Sequence, residues 1–99
     1  MSEEGEEGGQ PQSVDITSLE IDQLLGFFIG VLAGKAWQYM GVRLAPGKDE
    51  VEKDLKKAAS AIDCAAYLSQ KVSPYFPPEE ADRLMAMIAD LQINYAKMA

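Results

Sequence analysis

Apolar positions recur along this chain with helical periods, and no stretch of useful length alternates with period two, so helices are expected and strands are not. The last third carries the cleanest stripe. Ala81, Leu84, Ile88, Leu91, Tyr95 and Met98 follow one another at steps of three and four, one face of an amphipathic helix. A stripe of smaller side chains precedes it: Val51, Leu55, Ala58, Ile62, Ala65 and Ser69. The first apolar segment has no polar face at its centre. From Leu24 to Gly34 every residue is apolar or glycine, with Phe27, Phe28, Ile29, Val31 and Leu32 pointing in all directions. A helix that is apolar all round must be covered all round.

Punctuation sets the expected bounds. Thr17-Ser18-Leu19-Glu20 reads as a capping box, with Ile16 and Ile21 placed to form a hydrophobic staple, and Gly41 reads as a left-handed stop. Pro46-Gly47 marks a turn, and Asp49-Glu50-Val51-Glu52 reads as a second box. Pro74 ends the second helix, and Pro77-Pro78-Glu79-Glu80 opens the third with proline and carboxylates in its first turn. The expectation is an all-α fold, with helices at about 18–40, 50–72 and 78–97 forming a three-helix antiparallel up-down-up unit over residues 14–99. Two partner helices cannot cover the first helix completely, so the unit is expected to assemble into a larger bundle, a homo-oligomer or a complex with another protein. The 11-residue apolar run, bracketed by Asp22 and Lys35, is far short of the roughly 20 residues of a membrane span.

Composition narrows the chemistry. The 99 residues contain 16 acidic and 9 basic side chains, no histidine and one cysteine, for a net charge of −7. That leaves out a histidine general base, an imidazole metal ligand, an internal disulfide and a cysteine-rich zinc site. The negative balance also argues against nucleic acid or an anionic membrane surface as a partner. Five of the acids (Glu3, Glu4, Glu6, Glu7 and Asp15) fall in residues 1–15 without a base, whereas the remaining 84 residues hold 11 acids and 9 bases. Residues 1–13, acidic, glycine-rich and almost without apolar side chains, are expected to be a disordered tail. With no basic leader and a lone Cys64, the expected compartment is the cytoplasm.

Gly26, Gly30 and Gly34 line up at steps of four along the first helix. Each costs about 1 kcal/mol against alanine, so three together call for a packing reason. Either the stripe seats the alanine face of the second helix (Ala58, Ala59, Ala61, Ala65, Ala66), or it forms a self-association seam. The candidate interface residues are therefore Gly26, Phe27, Gly30, Val31, Gly34 and Trp37, with Met87 from the methionine-rich third helix.

Asp54-Leu55-x-x-Ala58-x-x-x-Ile62-Asp63, followed by Leu68 and Lys71, together with Glu79-Glu80 and Asp90-Leu91-x-x-x-Tyr95, resembles the small bacterial helical family catalogued as domain of unknown function 1844. Met40-Gly41 and the Pro46-Gly47 turn fit it as well, and the likeness covers roughly residues 16–96. The chain departs from that pattern at Val72 (usually threonine), Gln92 (usually arginine) and Pro74-Tyr75 (usually Gly-Asn). The resemblance implies a fold and a bacterial, cytoplasmic setting, with Asp63, Lys71, Asp90 and Tyr95 as pattern residues of no assigned role. It implies no activity.

Residue chemistry points the same way. Asp22, Asp63 and Asp90 lack the histidines and repeated carboxylate spacing of a di-metal bundle, and read as helix-border residues. Cys64 has no histidine or helix N-terminus beside it to activate the thiol, and reads as a core or border cysteine. Lys53, Lys56 and Lys57 are interleaved with Glu50, Glu52 and Asp54, and the spacing of Glu52 and Lys56 suits an i,i+4 pair on a solvated face. The expectation is a non-catalytic self-associating or protein-interaction module without metal or cofactor. The alternative is a carrier of a small apolar ligand in a cavity lined by the first helix; an enzyme working through carboxylates alone is a third reading.

Overall fold

The structure, a computed structural model, describes residues 15–99; the expected tail at 1–13 lies outside them. Three helices make the architecture: α1 (Ile21–Tyr39), α2 (Leu55–Val72) and α3 (Pro78–Met98). Among the described residues there is no strand beyond one isolated bridge between Met40 and Lys53. The all-α expectation holds, and the third helix falls where its proline-carboxylate start placed it.

The first two helices begin later than their sequence signals. Thr17 does not cap α1. The Asp15 carboxylate accepts from both the Thr17 backbone N–H (3.0 Å) and its hydroxyl (2.6 Å), which organises a short 3-10 turn at Ile16–Ser18. A charged acceptor outcompetes the weaker arrangement in which the threonine hydroxyl itself would accept. The helix then starts at Ile21, and the Gln23 side chain accepts from the Glu20 N–H at 3.1 Å. Ile16 and Ile21 both remain exposed, so the expected staple is not buried.

The second helix starts at Leu55 and not at residue 50. Asp54 is its cap, with its carboxylate accepting from the Lys57 N–H at 3.1 Å. The backbone of Asp54 is extended (φ −145°, ψ 91°), and its own N–H donates to the Tyr39 carbonyl at 2.8 Å. That bond satisfies a carbonyl at the end of α1 while holding residue 54 out of the helix. With Glu52 outside α2, the expected Glu52–Lys56 pairing is replaced by an exposed Lys57 facing both the exposed Glu52 and the partly exposed Asp54, each at 3.9 Å.

The end of α1 is a complete Schellman motif. Gly41 adopts φ +83°, its N–H donates to Gln38, and the Val42 N–H donates to Trp37. Pro74 closes α2 through a 3-10 turn at Ser73–Tyr75.

The core is built from narrow faces. Ile29, Ala33 and Ala36 of α1 and its C-cap Met40 meet Ala58, Ala61, Ile62, Ala65, Ser69 and Val72 of α2, and α3 adds Ile88 and Leu91. The small residues allow α1 and α2 to pack closely, whereas α3 rests mainly on α2 and touches α1 lightly. The buried Ser69 hydroxyl donates to the Ala66 carbonyl at 2.7 Å, so its burial leaves no unpaired donor. The three helices do not close evenly on one another: α2 is the shared partner of α1 and α3.

Candidate functional site

At 100° per residue, Ile29, Ala33, Ala36 and Met40 share one side of α1, and Phe27 and Val31 fall on the opposite side. Burial on α2 therefore leaves a second apolar face in water. Phe27 is 50% exposed, Phe28 37% and Val31 48%, and the Phe27 and Phe28 rings lie 5.8 Å apart. Beside this face, α1 and α2 enclose an open groove of about 550 Å³ lined by Phe28, Val31, Leu32, Asp63, Cys64, Tyr67 and Leu68. Its walls are almost wholly apolar, with Asp63 the one charged residue lining it. Lys71 stands next to it, its ammonium 5.3 Å from the centre of the Tyr67 ring, a cation–π contact.

A second depression of about 390 Å³ lies between α1 and α3, lined by Gly26, Ile29, Gly30, Phe76, Leu84 and Met87 with Glu80 and Arg83 at its edge. The glycine stripe faces this side. A Cβ added to Gly26 would meet only Phe76 at 3.8 Å, one at Gly34 only the Arg43 guanidinium at 3.6 Å, and one at Gly30 nothing within 4 Å. The stripe therefore does not seat the alanines of α2. Ala33 and Ala36 of α1 do that, together with Ile29. The correction follows from helix rotation: Gly26, Gly30 and Gly34 lie on the flank of α1 and not on its α2-facing side.

The sequence-derived candidates are thus divided among several places. Val31 and Asp63 line the groove, and Phe27 extends its apolar rim. Gly26, Gly30 and Met87 line the α1–α3 depression. Trp37 and Tyr95 are half-buried against the core. Asp90 is exposed and accepts from the Asn94 amide at 3.1 Å, a bond within its own helix. Cys64 is exposed on the groove and is not a core residue.

Phe28, Leu32, Tyr67 and Leu68 are the lining residues that the candidate set omitted. Cys64, Tyr67, Leu68 and Lys71 at helical spacing form a second face of α2, a signal masked by the stronger alanine stripe.

Among the described residues, no group of three or more histidine, cysteine, aspartate or glutamate side chains stands close enough to hold a metal ion, and no helix is long and apolar enough to cross a membrane. The Thr17 hydroxyl and then its backbone N–H hold the Asp15 carboxyl below the ordinary aspartate value. That carboxylate serves the turn before α1 and lies away from either depression.

No curated protein and no solved structure matches the chain. Residues 23–97 do match a family model described as Domain of unknown function (DUF1844), which runs from the first turn of α1 to the last turn of α3. With all but the outermost residues of its three helices inside that match, the chain belongs to the DUF1844 family.

Proposed function

We propose that this domain is a non-catalytic, self-associating interaction module of the bacterial cytoplasm, and that it associates through the outer face of α1 and the adjoining groove. The observation that carries the reading is the exposure, in one continuous patch, of Phe27, Phe28, Val31 and the 59%-exposed Tyr67. Contiguous apolar surface of this kind marks interaction sites on small proteins. The near-neutral charge balance of residues 16–99, 11 acids against 9 bases, permits association without strong repulsion between the folded bodies.

The direct test is the native mass of the complex purified gently from its own cells at natural abundance. A small whole multiple of the 10.8 kDa chain supports the reading. A bare 10.8 kDa species overturns it. A second protein in the complex replaces self-association with an adaptor role on the same face.

The groove volume of about 550 Å³ favours one further reading, since it falls within the range of small-molecule sites. An apolar ligand that co-purifies in the same native mass spectrum would make the domain a carrier. Its absence, with the groove filled by protein, would leave the interaction module.

A further inference from the structure

Self-association, as proposed above, leaves the arrangement of the copies open, and the outer face of α1 specifies one. Leu24, Phe27, Phe28, Val31 and Lys35 of α1 fall within a 100° sector of its wheel, opposite the side packed on α2, and Glu20, its N-cap residue, stands just before the same sector. Their order is palindromic in chemistry and in spacing. Glu20 and Lys35 are equidistant from the point between Phe27 and Phe28, as are Leu24 and Val31.

We infer that two copies of this chain pack α1 against α1 in antiparallel orientation, about a two-fold axis that passes between Phe27 and Phe28. That axis sets each Lys35 opposite the partner's Glu20, each Leu24 opposite the partner's Val31, and the two phenylalanine pairs against one another at the centre. Charge pairing and apolar pairing are independent features, and both select the same register. A C2 interface requires this self-complementarity, with every pair of contacts made twice. The antiparallel orientation also brings the N-terminal end of each helix dipole beside the C-terminal end of the other.

The occupant is a second copy on two further grounds. The segment outside the structure, residues 1–14, offers only Met1, Pro11 and Val14 as apolar side chains among its acids and glycines, and is chemically unsuited to an apolar groove. The area also fits. Phe27, Phe28, Val31 and Tyr67 leave on the order of 400 Å² of side chain in water per copy. Doubled across an axis, and with the flanking Leu24, Leu32, Leu68 and the Lys35 stem added, this approaches the roughly 1,200 Å² at which stable interfaces begin.

The experiment is sedimentation equilibrium of the full chain and of three variants: Glu20→Lys, Lys35→Glu, and the two together. The expected result is a wild-type dimer, and a dissociation constant raised about tenfold in each single variant, because both symmetry-related surface pairs become repulsive. The double variant restores opposite charges in the same register and returns the constant to near its wild-type value. Helical circular dichroism shows that each variant is folded, and the reaction rate of the chain's one thiol, Cys64 on the groove wall, reports groove coverage independently. A persistent dimer whose double variant is not rescued, or whose single variants are inert, overturns this seam while self-association stands. A trimer overturns the two-fold arrangement. A chain that stays monomeric at high concentration overturns the seam and the self-association reading together.

Discussion

At Gly30 an added Cβ would meet nothing within 4 Å, whereas at Gly41 the backbone is left-handed (φ +83°) and a Cβ would stand 3.5 Å from that of Lys53. The two sites therefore give opposite expectations for the same change. Gly30→Ala should raise stability by about 1 kcal/mol, the helix-propensity gain at an open interior position. Gly41→Ala should lower it by about 1–2 kcal/mol, the cost of holding a Cβ in the left-handed region. Urea unfolding at concentrations too dilute for association checks both; a destabilised Gly30→Ala would place a close neighbour where the structure has open space. Asp15 offers a residue-scale test in pH. Because Thr17 holds its folded titration below the ordinary aspartate value, its contribution is present above that value and is lost as pH falls through the lower, folded one. An NMR titration of the Asp15 carboxyl should show a depressed midpoint, which Thr17→Val returns toward normal; an unchanged midpoint would remove the turn's assigned cause.

Helix ends show what local chemistry settles and what it leaves to packing. The start of α3 was legible in Pro77-Pro78-Glu79-Glu80, because proline geometry and carboxylates at a helix N-terminus act within one turn. The start of α2 was not. Asp49 and Asp54 are both competent caps, and the choice falls to Asp54 through its N–H bond to Tyr39, fifteen residues away in another helix. Asp54→Ala should accordingly cost about 1 kcal/mol, while Asp49→Ala should leave the unfolding midpoint unchanged. Equal losses from the two would return the helix start to residue 50. The groove was illegible for a similar reason. The all-apolar character of α1 announced an uncovered face, but Cys64, Tyr67 and Leu68 lie off the alanine stripe of α2, and they become a surface only when α1 is laid beside them. The glycine stripe, conspicuous in the sequence, had no local feature to say which side of α1 it would occupy.

A domain whose third helix rests mainly on α2 distributes its stability unevenly. The α1–α2 pair holds most of the buried residues, whereas α3 brings only Ile88 and Leu91 to full burial and faces α1 across an open depression. Elements with few buried contacts open at lower free energy than the global unfolding of the domain. Native-state hydrogen exchange should therefore show the amides near Ile88 and Leu91 exchanging through a partial opening, with weak denaturant dependence, while those near Ile62 and Ala65 exchange only on global unfolding. Leu91 is fully buried, and Leu91→Ala should cost about 2–5 kcal/mol of α3 docking. If α3 undocks as a unit, that variant speeds exchange throughout α3 and leaves the α1–α2 amides at their own, slower level until α3 docking is fully lost. Uniform acceleration across all three helices would instead make the domain one cooperative block. The distinction bears on association, because the proposed seam and the groove belong to α1 and α2. A separately opening α3 would leave that face intact, and the dimer would survive a substitution that loosens the third helix.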